Sequence, residues 1–261
     1  ILEEARRLVE SGSKEIILLG QNVNAWHGEG LDGKTWSLGR LIMEMAGLDV
    51  FRLRYTTSHP RDMNDELIEA HRSVPQLAPF LHLPLQSASD RILKAMNRGH
   101  TAEDYLRLID RVRAARHDMA FSSDFLVGFP GESDQDFEDT LAMVRKVGYA
   151  QAYSFKYSPR PGTPAAIMAT QVPEDVKTAR LQALQSLIFE QQRKFNQNSI
   201  GQTLEVLFDR KGRKEGQLHG RSLYMQSVHA TGPAESFGQI AQVKIGGATA
   251  SSLEGEVCTS S

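Results

Sequence analysis

Cysteine is almost missing from this chain: its 261 residues hold one, Cys258, close to the end. A single thiol excludes a disulfide framework and any cysteine-rich metal site within the chain. No apolar run approaches the length of a membrane span and no leader-like segment opens the sequence, so a cytoplasmic protein without membrane contact is expected. Neither sign of charge prevails. The 30 Lys and Arg against 32 Asp and Glu leave a net charge of −2, which identifies no partner, although a local basic patch remains compatible with nucleic acid. An initiator Met is absent too: Ile1 to Val9 already reads as an amphipathic helix with no cap before it, which predicts that the sequence begins inside a domain.

What is present centres on Ser122 to Glu132, an apolar run ending in a Gly-Pro-Gly turn. Phe125, Leu126 and Val127 are too continuous for a half-exposed strand and predict one buried on both faces, as in a parallel sheet covered by helices. Gly128 and Gly131 permit backbone conformations that a Cβ would block, and Pro130 stiffens the turn, which therefore reads as shaped for a ligand. Ser133 and Asp136 form an approximate capping box for a helix carrying Phe137, Leu141 and Val144.

Around this stretch, strands start near residues 15, 51, 80, 119 and 151, each followed by a helical pattern. The alternation predicts an α/β fold with a parallel sheet, an incomplete (β/α) barrel of about six units whose first strand would precede Ile1. Gln21, Asn22 and Asn24 follow the first strand, and a loop with Trp26, His27 and three glycines comes next. Ser58-His59-Pro60 follows the second strand, Gln86-Ser87 the third, and Ser158 to Pro164 the last. A long helix from Pro173 connects to short alternating runs, Leu204/Val206/Phe208, Leu223/Met225, Ile240, Val243/Ile245 and Leu253/Val257, which predict a small β barrel of about five strands. The expected division is 1–172, 173–200 and 201–261.

Five motifs in this order, Gln21-Asn22-Val23-Asn24-Ala25-Trp26, Thr57-Ser58-His59-Pro60, the run from His82 to Asp90, Asp124 to Glu132 and Ser158 to Thr163, resemble the radical S-adenosylmethionine (SAM) methylthiotransferases. The resemblance runs over nearly the whole chain and is nearest to the branch that methylthiolates isopentenyladenosine beside the tRNA anticodon. The first motif favours that branch over the one acting on a ribosomal protein. The terminal β module resembles the TRAM domain, a small RNA-binding barrel. The resemblance implies S-adenosylmethionine, two four-iron four-sulfur clusters in the full-length enzyme, an electron donor for cluster reduction, and tRNA, through its anticodon stem-loop, as partner. It also exposes a departure. The family's N-terminal cysteines and its C-x3-C-x2-C loop are not in this sequence, and Cys258 alone cannot hold a cluster. The chain is therefore expected to be the C-terminal part of a longer enzyme, inactive by itself. A methylthiotransferase for another tRNA adenosine or for a ribosomal protein, or an RNA-binding module without catalysis, remains an alternative.

Three groups of residues are candidates for sites. Gln86, Arg98 and Asp124, with Val127 and Gly128 as an apolar wall, resemble a cofactor site: Arg suits a carboxylate and Asp suits ribose hydroxyls. A helix-end cation and a main-chain acceptor would give Arg98 and Asp124 the same appearance. Gln21, Asn22, Asn24, His59 and Arg160 stand at strand ends and are candidates for holding an unstacked base or its phosphates, against a reading as loop caps. Arg210, Lys211, Arg213 and Lys214, with Arg221, read as phosphate contacts on the β module, against a solvated turn. Glu132 reads as a helix N-terminal charge. His82 draws no role, and no side chain stands out as catalytic.

Overall fold

A computed structural model describes residues 1–258; the end of the expected span 201–261 lies outside the described residues. The first part alternates strands β1 (Glu15–Leu18), β4 (Arg52–Tyr55), β5 (Phe80–His82), β6 (Ala120–Val127) and β7 (Gln151–Lys156) with helices. The helices are α1 (Leu2–Glu10), α2 (Leu38–Met45), α3 (Asp65–Ser73), α4 (Asp90–Ala95), α5 (Ala102–Ala115), α6 (Asp134–Val147) and α7 (Glu174–Gln197). β1 pairs with β4, and β6 pairs with β5 and β7, all in parallel. Leu53 joins the two sheets by accepting from Ala78 N and donating to Gln76 O, just ahead of β5. The result is one curved parallel layer in chain order, the expected incomplete barrel.

Alternation along β6 sorts its residues. Phe125 and Val127 are fully buried in the large apolar core shared with the helices, while Asp124 and Leu126 turn to the concave face and are half-buried. The helices begin where the sequence places their caps. Ser133 and Asp136 form a complete capping box, with Ser133 N donating to Asp136 Oδ2 at 2.7 Å and Asp136 N returning to Ser133 Oγ at 3.3 Å. Ser133→Ala should cost about 1 kcal/mol, read as a shifted urea midpoint at constant slope.

The segment after β1 departs from the expected loop. His27–Glu29 (β2) and Thr35–Ser37 (β3) form an antiparallel hairpin. Its tight end is fixed by Trp36, whose Nε1 donates to Asp32 at 2.8 Å and whose ring lies 2.0 Å from where a Cβ on Gly30 would stand. Strands this short show too few alternating residues to register as a pattern.

The last part is a closed five-stranded barrel in the order β10-β12-β11-β8-β9, built from β8 (Thr203–Lys211), β9 (Gln217–Ser222), β10 (Ser227–Thr231), β11 (Ile240–Ala248) and β12 (Leu253–Val257). Leu223 and Met225 are not strand residues, as the alternation suggested, but form the β9–β10 turn, with Met225 in the left-handed region at φ 62°. Apart from Leu218, the inward residues of β9 are small. Gly220 is one, and a Cβ on it would stand 2.2 Å from Leu207 O, so this strand carries little hydrophobic signal.

The barrel is tied to the first part. Arg54 of β4 donates to Leu223 O at 2.8 Å and Ser222 O at 3.0 Å. Gln226 donates to Asn196 Oδ1 and Ser199 Oγ at the end of α7, and Phe195 packs on Tyr224 with ring centres 5.7 Å apart.

Candidate cofactor and RNA sites

Parallel strands bring their C-terminal ends to one edge of the layer, where Asn22, His59, Gln86, Gly128 and Arg160 follow β1, β4, β5, β6 and β7. Gln86 continues the sheet in a strained conformation at φ 75°, its N–H on Asp124 O and its carbonyl on Leu126 N. Strain of this kind at a strand end fixes where the side chain points. Arg98 is mostly buried, bonds Pro84 O at 3.4 Å and leaves its Nε without a partner. Burial lowers its pKa, opposed by the Asp124 carboxylate, so these two candidates are electrostatic neighbours.

His82 joins them. Its Nδ1 lies 2.7 Å from Ser122 Oγ and its Nε2 lies 3.6 Å from Asp124 Oδ2, which places it across the ladder on the concave face. The sequence carries a signal for this. Leu81, Leu83 and Leu85 alternate with His82, and the leucines are the buried set.

The second group is organised around main-chain contacts. Asn24 is 3% exposed, its Nδ2 donating to His59 O and its Oδ1 accepting from His59 N, both at 2.8 Å. It positions His59 and has no free amide for a ligand. His59 is held neutral: burial first, then Arg98 and His100, push its pKa down to about 4. Its Nδ1 accepts from Arg61 N at 3.2 Å, and its ring meets His100 edge-on at 5.6 Å. Asn22 donates to Asp62 Oδ2 at 2.7 Å and keeps a buried Oδ1 without a partner. Gln21 and Arg160 are exposed, and Arg160 is joined to the turn through its carbonyl, which accepts from Thr163.

Two expected cofactor contacts are corrected. The Val127 side chain is fully buried in the core and has no surface to offer. Gly128 does need its missing Cβ, at φ 74°, but the close approach is made by Lys177: a Cβ there would stand 2.1 Å from Lys177 Cγ. Lys177 reaches over the turn to Tyr157 O at 3.4 Å, so the turn receives a side chain of α7 where a ligand was expected. Glu132 is likewise more than a helix-end charge. Its Oε2 accepts from Gly128 N at 2.7 Å and from Arg180 Nη1 at 2.8 Å, closing the turn against α7.

On the barrel, Arg210, Lys211, Arg213 and Lys214 are exposed around the β8–β9 hairpin, whose main chain is pinned by Gln217: its Oε1 accepts from Arg213 N and Lys214 N. Arg221 does not belong to this patch. It lies toward the opposite end of β9, within reach of Met225 O at 3.5 Å, and its charge acts on Arg54.

Residues 1–144, more than half of the chain, match the model of the radical SAM superfamily. The chain belongs to this superfamily. Residues 197–258 match the TRAM domain model and coincide with the closed barrel. Among solved structures, the radical SAM chain is similar to the archaeal Methanocaldococcus infernus Elp3 with an N-terminal deletion, at 15% identity and TM-score 0.46, covering 70% of this chain and 49% of that one. It is similar also to methylornithine synthase, at 12% identity and TM-score 0.45, covering 71% and 52%. The chain thus spans about half the length of each. The superfamily implies S-adenosylmethionine and a four-iron four-sulfur cluster. The residues present do not fit the cluster, which needs thiolates: the sole cysteine, Cys258, is exposed on the TRAM barrel, and no group of three metal-ligating side chains occurs among the described residues. They do fit a zwitterionic nucleoside cofactor, because Arg98 keeps a buried Nε without a partner and is the electrostatic neighbour of the partly open Asp124 carboxylate.

Proposed function

We propose that the enzyme to which this chain contributes methylthiolates isopentenyladenosine beside the anticodon of tRNA. The observation that carries the reading is that motifs resembling those of the methylthiotransferases stand at successive ends of one parallel sheet, to which a TRAM barrel is fixed by Arg54. S-adenosylmethionine, when bound, supplies the adenosyl group and methyl for such chemistry. Arg98 would pair with its carboxylate and Asp124 would accept from its ribose hydroxyls, with Gln86 at the same mouth. His82 stands 3.6 Å from Asp124 on the same face. His59, kept neutral, and Asn24, which clamps it, shape the floor against which substrate rests. Gln21, Asn22 and Arg160 provide polar edges at the rim.

The hairpin supplies affinity for the phosphate backbone. Fluorescence anisotropy with an anticodon stem-loop at a series of salt concentrations is expected to show binding that weakens steeply as salt rises. Changing Arg210, Lys211, Arg213 and Lys214 together to Ala should flatten the slope of log K against log salt by roughly 0.7–0.9 for each phosphate that the hairpin no longer neutralises. RNA binding that is absent at every salt concentration would sink the reading, and an unchanged slope would move the phosphate site away from this hairpin. The second reading, an RNA-binding module without catalysis, rests on the TRAM barrel and its basic hairpin. Calorimetric titration with S-adenosylhomocysteine separates the two, since only the first expects heat that disappears in Asp124→Ala.

A further inference from the structure

β7 is the edge strand of the layer, and its two faces differ sharply. On one face Ala152 packs on the core and Lys156 bonds Glu174 and Thr178, so α7 covers it. On the concave face Tyr153 and Phe155 stand side by side, 48% and 53% exposed. Gln151 Nε2 donates to the Tyr153 hydroxyl at 2.6 Å and so restrains the ring. In the parallel register Tyr153 pairs with Asp124, and Phe155 pairs with Leu126. Two open aromatic rings therefore adjoin the carboxylate assigned above to the cofactor. Across the sheet at β1, the exposed concave residue is the aliphatic Ile17, and the aromatic of β5 on this face, Phe80, is half-buried, so the two open rings stand at this edge.

We propose that Tyr153 and Phe155 form a stacking platform for an unstacked adenine base of the RNA substrate, presenting it beside the cofactor at Asp124. The inference rests on the RNA-directed reading above and deepens it. An enzyme acting on a base must take it out of its stack, and the missing stacking has to be replaced by a flat apolar surface. Aromatic side chains provide that surface for any base, with no charge required. Phosphate affinity resides elsewhere, in the β8–β9 hairpin, which leaves the platform free to be uncharged. The position also matches the chemistry: a base lying on these rings is next to Asp124 across a single ladder spacing.

The test uses saturation-transfer NMR with adenosine 5′-monophosphate as the probe, on this chain and on Y153A/F155A and Y153F. Wild type should transfer saturation to the base protons H2 and H8. The double variant should show no transfer and bind roughly tenfold more weakly, whereas Y153F should keep it. Both side chains are about half exposed, so the variants are expected to keep the wild-type circular dichroism and melting temperature. Unchanged transfer in Y153A/F155A would overturn the platform. So would displacement of the nucleotide by S-adenosylhomocysteine, which would make the rings a seat for the cofactor's own adenine. A stem-loop carrying 2-aminopurine at the target position separates this inference from the one beneath it. Salt-sensitive RNA binding with a 2-aminopurine signal indifferent to both substitutions removes only the platform. Absence of RNA binding, with saturation transfer to the nucleotide still abolished in the double variant, removes the RNA reading and leaves a base-stacking site.

Discussion

Arg180→Ala is expected to lower folding stability by about 3–5 kcal/mol, because it leaves the buried Glu132 carboxylate without its counter-charge. The Glu132 side chain is 1% exposed and keeps only the Gly128 N–H once the guanidinium is gone. Arg180 also bonds Asp134 at 2.7 Å, but that carboxylate is solvated and contributes little. The pH dependence follows from the sign of the shift. Burial raises the Glu132 pKa above its ordinary value, so the folded state holds this proton to higher pH than the unfolded chain does. That contribution is present below the ordinary carboxylate pKa and is lost as pH rises through the folded value. Without Arg180 the folded pKa climbs further, so the deficit should be small near pH 5 and largest near pH 8. Urea denaturation at the two pH values checks it. A deficit below about 1 kcal/mol, or one that does not change with pH, would show that Glu132 is not carrying a buried charge. Adding Glu132→Gln to the variant should restore much of the stability, since a neutral amide is cheaper to bury than a lone charge.

This pair illustrates what a sequence reader can and cannot see. Glu132 is legible as an acidic residue at a helix start, a local property set by Ser133 and Asp136 beside it. Its partner lies on another helix, and no periodicity links the two. Gly128 is similar: the need for glycine is plain, but the group that fills the space, Lys177, comes from α7. Local signals such as the apolar run of β6 and the caps are encoded within a few residues and are readable. The closed barrel is readable as a small β module of about five strands but not strand by strand: no apolar run covers β9 or β10, Leu223/Met225 mark the turn between them, and the runs at Ile240 and Val243/Ile245 belong to the single strand β11. Within the mouth, the motif order locates the strand ends correctly, whereas side-chain commitments stay hidden. Asn24 spends its amide on His59, and His82 reaches Asp124 only because β5 and β6 pair in this register. Tyr153 and Phe155 look in the sequence like any other strand residues, because exposure on a concave face is a property of the assembled sheet.

Arg54→Met should uncouple the TRAM barrel from the parallel sheet. Arg54 is 6% exposed and makes three directed contacts: Nε to Glu15 at 2.8 Å, and one terminal nitrogen each to the carbonyls of Leu223 and Ser222. Arg52 lies beside it, 3.4 Å from the same Glu15 carboxylate and 3.7 Å from Glu205 of β8. Burial lowers the pKa of both arginines, and for each the Glu15 carboxylate opposes the shift, so one acid serves two buried cations. Removing Arg54 strands the Leu223 carbonyl, leaves Ser222 O with only its Met225 N–H, and takes one cation from Glu15, an expected cost of about 3–5 kcal/mol for breaking such a network. Methionine keeps the apolar stem, so the effect is assigned to the directed contacts rather than to packing. Calorimetry is expected to show one transition for wild type and two for the variant, the barrel and the sheet melting apart. Arg54→Lys should behave like Met, since one ammonium cannot satisfy three acceptors in a fixed fork geometry. The basic hairpin is supported locally by Gln217, so the salt slope of RNA binding should survive uncoupling. A single transition at the wild-type temperature in both variants would mean that α7 and its Asn196–Gln226 contact hold the barrel unaided. Two transitions with an intact salt slope would instead identify Arg54 as the residue that couples the barrel to the sheet.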